Sequence, residues 1–163
     1  MMNTSKFAVL FAALLVAISG AALGAGGPDI RMEPAPINRL DLASQQRGAR
    51  IFVNYCLNCH SAKYMRYNRL ADLGLTEAQI ADNLILTGRF EQTPAGEVFA
   101  PTKVGETMQV AMRPADAKAW FSVLPPDLSV EARVRGGEWL YNYLISFHRD
   151  DNSATGWNNL VFP

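Results

Sequence analysis

Apolar positions recur at helical spacing in four places along the chain. In "QQRGARIFVNYC", residues 45–56, Ala49, Phe52 and Val53 fall at i, i+3 and i+4, with Asp41 or Ser44 ahead of them as an N-cap. The spacing predicts a helix that delivers Cys56 at its end. A second helix is marked by the capping-box pattern Thr76-Glu77-Ala78-Gln79, with Ile80 and Leu84 one turn apart and Gly88 as a stop. A third carries Pro114 in its first turn, continues through "ADAKAWF" and must end before Pro125-Pro126, since a residue preceding proline is biased away from the helix. A fourth follows Ser129, where Trp139, Tyr143 and Phe147 recur every four residues beside Leu140 and Leu144. Residues 89–105 hold two glycines and two prolines without a period, and read as loop. No run alternates as a strand would, and no internal repeat is visible. The pattern predicts a mainly α domain with long loops.

The chain before the first helix is of another kind. Lys6 is followed by the apolar run Phe7 to Ile18 and then by small residues through Ala25, the layout of a secretory signal peptide over residues 1–25 with cleavage near 22–26. The apolar run is shorter than the ~20 residues a spanning helix requires. Next comes "GGPDIRMEPAPIN", whose three prolines predict an extended arm over residues 26–40. Residues 41–163 are then expected to form one exported domain, and ~150 residues can bury roughly two-thirds of their unfolded surface in a single core.

Composition changes this picture little. Lys and Arg number 15 against 15 for Asp and Glu, so the charge balance gives no ground for a nucleic-acid partner. Cysteine usage changes it more. The 163 residues contain two cysteines, and both lie in Cys56-Leu57-Asn58-Cys59-His60. An oxidising compartment joins free thiols where geometry allows, so a different use for these sulfurs is expected. C-x-x-C-H is the attachment signature of a c-type haem: two thiols form thioethers with the vinyl groups, and the adjacent imidazole serves as proximal iron ligand. A thioredoxin-like redox pair would be expected near a βαβ pattern, which is lacking. A zinc site would need further strong ligands, with only His148 available. An accidental pentapeptide is the remaining alternative.

The residue on the opposite face of the iron decides whether such a site transfers electrons or binds ligands. Met65 follows His60 too closely in the chain to reach that face. Met108 and Met112 are candidates by spacing, although a pair of methionines one helical turn apart also reads as core filler. His148, beside Arg149, Asp150 and Asp151, reads as a solvated helix end.

The stretches "FVNYCLNCHSAKYMRYNRL", "MQVAMRPADAKAWFSVLPPDLSVEARVRGGEWLYNYLISF" and "GWNNLVFP" together resemble the cytochrome c1 family, the haem subunit of the respiratory cytochrome bc1 complex in its proteobacterial form. The resemblance runs from about Pro34 to Pro163, and "PPDLS", residues 125–129, is its most specific element after the haem motif. It implies a class I-like c-type cytochrome domain holding one covalent haem c through Cys56 and Cys59, with His60 on the iron. It implies that Pro125 and Pro126 wall the haem, and that Arg135, or Arg133 beside it, neutralises a propionate; two solvated arginines on a helix face are the plainer alternative. The implied role is electron transfer at the periplasmic face of the inner membrane, from the Rieske iron–sulfur protein to a soluble or tethered cytochrome c, alongside cytochrome b. Quinol oxidation would belong to the whole complex, not to this chain alone.

The resemblance also places the family's sixth-ligand methionine beyond the "NLVFP" region and a membrane-spanning helix after it. The sequence ends at Pro163 without either. A shortened chain is therefore expected, with apolar surface uncovered around Trp157, Leu160 and Phe162, and with Met112 as a secondary candidate for the iron. Two other readings follow: a standalone periplasmic haem protein with an open sixth position, for which water and His148 compete, or a non-functional fragment.

Overall fold

The computed structural model describes residues 30–163, and the signal-peptide reading for residues 1–25 lies outside them. The described chain forms two compact units: Pro34–Leu140, and a second in which residues up to Glu33 join Tyr141–Pro163.

In the first unit, α1 (Leu42–Ile51) starts where the sequence places it. Asp41 caps it by accepting the Ser44 N–H at 2.8 Å, one of the donors a helix start leaves unpaired. The helix then widens into a π-helical turn, Phe52–Cys56, closed by Leu57 N–H donating to the Phe52 carbonyl at 2.9 Å. β1 (Ala62–Arg66) and a 3-10 turn over Tyr67–Leu73 lead to α2 (Glu77–Leu84). Both halves of the capping box form there: Gln79 N–H donates to Thr76 Oγ1 at 3.2 Å, and Thr76 N–H to Gln79 Oε1 at 2.8 Å. β2 (Gly88–Thr93) and β3 (Gly96–Pro101) make an antiparallel hairpin, and β4 (Thr107–Met108) returns to pair with β1. α3 (Pro114–Phe121) and α4 (Glu131–Arg135) follow. The core of this unit gathers Val53 and Leu57 from the π turn, Tyr67 and Leu70 from the 3-10 turn, Ile80 and Leu84 from α2, and Met108 from β4.

α5 (Gly137–Ile145) carries the chain into the second unit, where β5 (Phe147–Arg149) pairs antiparallel with β6 (Trp157–Asn159). Two buried asparagines organise that unit. Asn142 donates to the Glu33 carbonyl and accepts the Glu33 N–H, both at 2.8 Å, and so binds the arm as a strand partner would. Asn159 donates to the Tyr143 carbonyl at 2.8 Å, while its Oδ1 takes the N–H groups of Val161 at 2.9 Å and Phe162 at 3.0 Å. Trp157, Leu160 and Phe162 are exposed.

The expectation of a mainly α domain is corrected. Helix makes up 39% of the described residues and strand 19%, the strands forming three two-stranded sheets. Residues 89–105, expected as loop, contain all of the hairpin but its first residue, Gly88. Its two strands present mostly exposed or half-buried residues, so neither face required the apolar alternation that marks a half-buried strand. What holds it is a cross-strand pair: Phe90 lies directly opposite Phe99 with ring centroids 5.4 Å apart at 70°, and the Arg113 guanidinium sits 5.4 Å over the Phe90 ring. β1 and β4 pair over too few residues, with an irregular register, to show a period. The fourth helix is also corrected. It is two helices divided at Gly136, whose φ of +84° is a conformation few other residues adopt. The helical period reaches only to Ile145. Phe147 and His148 stand in β5, although the Tyr143 and Phe147 rings still meet at 5.1 Å.

Candidate functional site

The π turn at the end of α1 is what presents the cysteines. A wider turn occurs where a helix is adapted to function more often than elsewhere. Cys56 ends the turn, and its carbonyl then accepts both Cys59 N–H at 3.1 Å and His60 N–H at 2.8 Å, folding the pentapeptide back on itself. Between the cysteines Leu57 points the other way and is fully buried, anchoring the turn in the core. Both thiols are free and partly exposed, and burial pushes the Cys56 thiol up.

His60 is oriented by the second half of the site. Its Nδ1 lies 2.8 Å from the Pro126 carbonyl oxygen. A carbonyl only accepts, so Nδ1 carries the proton and Nε2 is left with the lone pair, the arrangement of a metal-binding imidazole.

The segment after Pro126 continues this pairing. Leu128 N–H donates to the Ser61 carbonyl at 2.8 Å, Lys63 N–H to Asp127 Oδ2 at 3.0 Å, and Tyr64 N–H to Ser129 Oγ at 3.0 Å. Asp127 also accepts Ser129 N–H at 2.9 Å, an Asx turn that shapes its own segment. Burial raises the Asp127 carboxyl, but the bonds from Ser129, the Lys63 N–H and the Lys63 charge outweigh it and hold the group below the usual aspartate range. Ser61, itself buried, makes a third link: its Oγ accepts Val110 N–H at 2.9 Å and fixes the chain that leads to Met112.

Between these segments lies a cleft of about 240 Å³, lined by Cys59, Ser61 and Lys63 on one side and by Val110, Met112, Pro114, Leu124, Pro125 and Asp127 on others. Its walls are largely apolar, and one cysteine of the pair opens into it. The donor set fits a haem c, with two thiols three residues apart and an imidazole with Nε2 available, and Cys59 joins it to the apolar-walled cleft, which Cys56 and His60 themselves do not line. Among the described residues no three His, Cys, Asp or Glu side chains converge as a metal cage, so a zinc site gains no third ligand there.

Other residues singled out from the sequence are distributed differently. Met112 shares the cleft with Cys59, whereas Met108 is 3% exposed inside the core opposite Ala62, and Met65 packs half-buried against that core. Pro125 lines the cleft; Pro126 contributes its carbonyl. The Arg135 guanidinium stacks 4.7 Å over Trp139 and pairs with Glu131 at 3.6 Å; Arg133 is exposed. His148 belongs to the second unit, exposed on β5 with Nδ1 3.2 Å from the Ser146 carbonyl, and not at the helix end expected for it. Sequence reasoning missed Ser61, Asp127 and Ser129. The Asp-x-Ser spacing after two prolines was the available signal, since it favours an Asx turn.

The Cytochrome C1 family model matches residues 33–162. The chain belongs to the cytochrome c1 family. It is 43% identical over 154 residues to the ammonia monooxygenase gamma subunit of Nitrosomonas europaea, covering 94% of this chain and 60% of that protein. It is 42% identical over 156 residues to the cytochrome c1 of Allochromatium vinosum, covering 95% of this chain and 58% of that one. The chain thus spans about three-fifths of the length of these relatives. Cytochrome c1 membership implies a haem c, and Cys56, Cys59 and His60 are where the donor chemistry for it is found. Among the described residues no helix is long and apolar enough to cross a membrane.

Proposed function

We propose that this chain is an electron-transfer protein in which Cys56 and Cys59 hold one haem c by thioether bonds and His60 Nε2 binds its iron. The observation that carries the reading is the 2.8 Å contact from His60 Nδ1 to the Pro126 carbonyl, because it leaves Nε2 as the free donor of the residue next to Cys59 in the chain. The cofactor would supply one-electron exchange at its iron. The residues do the rest. Covalent attachment would retain the group in an exported protein, Pro125 and the other apolar residues of the cleft would keep water from it, and His60 would supply a ligand to its iron. Met112 is the methionine that lines the cleft with Cys59, and it would be this chain's candidate for a second ligand to the iron. The propionate role belongs to Arg135 or Arg133; Arg135 would have to leave Glu131 to take it.

Family membership supports a place in a cytochrome bc1 complex at the periplasmic face of the inner membrane, and the charged, apolar and small-residue layout of residues 1–25 supports export. There the chain would take electrons from the Rieske iron–sulfur subunit, beside cytochrome b, and pass them to a cytochrome c. The test begins with the full chain produced in a host that matures c-type cytochromes. Haem that stays with the polypeptide under denaturing conditions, is lost on replacing Cys56 and Cys59 by alanine, and titrates as a one-electron couple is the expected result. Haem that dissociates on denaturation overturns the assignment. Rapid carbon monoxide binding by the reduced protein would instead mark an open sixth position, and the same binding appearing only in Met112→Ala would assign that methionine to the iron.

A further inference from the structure

Four hydrogen bonds join two short segments that are far apart in sequence: His60 Nδ1 to Pro126 O, Leu128 N to Ser61 O, Lys63 N to Asp127 Oδ2, and Tyr64 N to Ser129 Oγ. Three of the four are completed by a side chain, and the two middle bonds cross, Ser61 taking Leu128 and Lys63 taking Asp127, so the segments are laced together rather than paired as strands. The two prolines explain why. A Pro-Pro pair has no N–H to offer, so residues 125 and 126 cannot donate to a neighbouring strand. Their segment can be held only through acceptors and through the donors of the residues that follow. Asp127 supplies two acceptors at once: one carboxylate oxygen takes the Lys63 N–H, and the other closes the Asx turn with Ser129 N–H. Pro126 is the residue immediately before it. The segment that carries the Pro126 carbonyl is therefore held by bonds from the residues that follow it rather than by a sheet, and the carboxylate of its neighbour makes two of them.

We propose that Asp127 is a positioning residue for the proximal imidazole, and that through the Pro126 carbonyl it sets the reduction potential of the bound iron. This rests on the haem reading given above. The physical chain is short. A well-placed acceptor on Nδ1–H gives the ring partial imidazolate character and makes Nε2 a stronger donor. A stronger donor favours ferric over ferrous iron and lowers the potential. When Asp127 is lost, the Lys63 and Ser129 N–H groups lose their acceptor, the turn loosens, the bond from Nδ1 lengthens and the potential rises.

The experiment measures, in the full holoprotein, the reduction potential, the Nδ1 proton resonance of His60 in the reduced state and the unfolding midpoint. Asp127→Ala should raise the potential, shifting the ferric–ferrous equilibrium severalfold to about tenfold, of which the upper end corresponds to ~59 mV for one electron. It should also move the His60 Nδ1 proton signal toward that of a weaker hydrogen bond. Asp127→Asn retains an acceptor for Ser129 but turns an amide donor toward Lys63, so it should fall between wild type and Asp127→Ala; it also serves if the alanine variant fails to mature. Thr76→Ala, which weakens α2 away from these segments, provides the comparison: stability falls while the potential and the His60 signal stay. If Asp127→Ala or Asp127→Asn loses stability as Thr76→Ala does, with potential and His60 resonance unchanged, the positioning role is overturned and the haem reading stands. If the wild-type chain holds no covalent haem, both fall together.

Discussion

Leu57 and Cys56 are adjacent in sequence and serve opposite sides of the same turn: the leucine is 0% exposed in the core, and the cysteine is partly open to solvent at the candidate site. The turn that separates them is held by Leu57 N–H on the Phe52 carbonyl. Packing of Leu57 is thus what fixes where the first thiol stands. Leu57→Ala should cost about 2–5 kcal/mol, the range for truncating a buried leucine. Chemical denaturation of the full chain measures it, and the variant should also mature less haem protein. A change below ~1 kcal/mol would mean that the cysteine turn does not depend on the core beneath it.

Gly88 begins β2 where the partner strand comes closest. A Cβ there would overlap the Ala100 carbonyl oxygen and lie 2.6 Å from Phe99 Cζ. The carbonyl belongs to the backbone, so relief requires the strands to part. Gly88→Ala should destabilise by about 1–3 kcal/mol, as overpacking does, and amide exchange should rise selectively in residues 88–101.

Thr76 caps α2 on one side of the core. Its replacement by alanine should cost about 0.5–2 kcal/mol, while serine retains the hydroxyl and should be nearly neutral. The thermal midpoints of the two variants distinguish the cap from the methyl group.

Glu106 fixes the turn before β4. The Lys103 N–H, donating at 2.8 Å, and then the Arg89 guanidinium hold its carboxyl below the usual glutamate range against a smaller opposing effect of burial. A carboxyl lowered in the folded state contributes stability that is fully present above the unfolded value, near pH 4.3, and is lost as pH falls through the folded value. Glu106→Gln should therefore flatten the acid limb of the stability profile below about pH 4.5, with the difference from wild type greatest near neutrality. Urea titrations across pH 2–7 check it, and parallel profiles for the two proteins would show that the turn gains nothing from the charge.

Much of the helical framework was legible because its signals are local. The Asp41 cap, the Thr76–Gln79 box and Pro114 at the start of α3 each act within one turn of the chain, so the residues that define the boundary also stand next to it. The hairpin was not legible for the converse reason. An exposed ribbon buries no face, and the Phe90–Phe99 pair that holds it joins residues nine positions apart that only the fold sets opposite each other. The helix after Ser129 was overextended because Trp139, Tyr143 and Phe147 keep helical spacing past Ile145, and the ring contact they predict survives the change to strand.

The sequence by itself determined the chemistry: two thiols and an imidazole in five residues, a cysteine usage confined to them, and a family likeness spread over residues 34–163. Covalent spacing is sufficient for that, since C-x-x-C-H is defined by neighbours. The tertiary structure decided the orientation of that chemistry. Which nitrogen of His60 is free, which methionine shares the cleft of Cys59 and which acid accepts the Lys63 N–H all depend on segments more than forty residues apart in the chain, brought together by packing and by backbone groups that had to find partners.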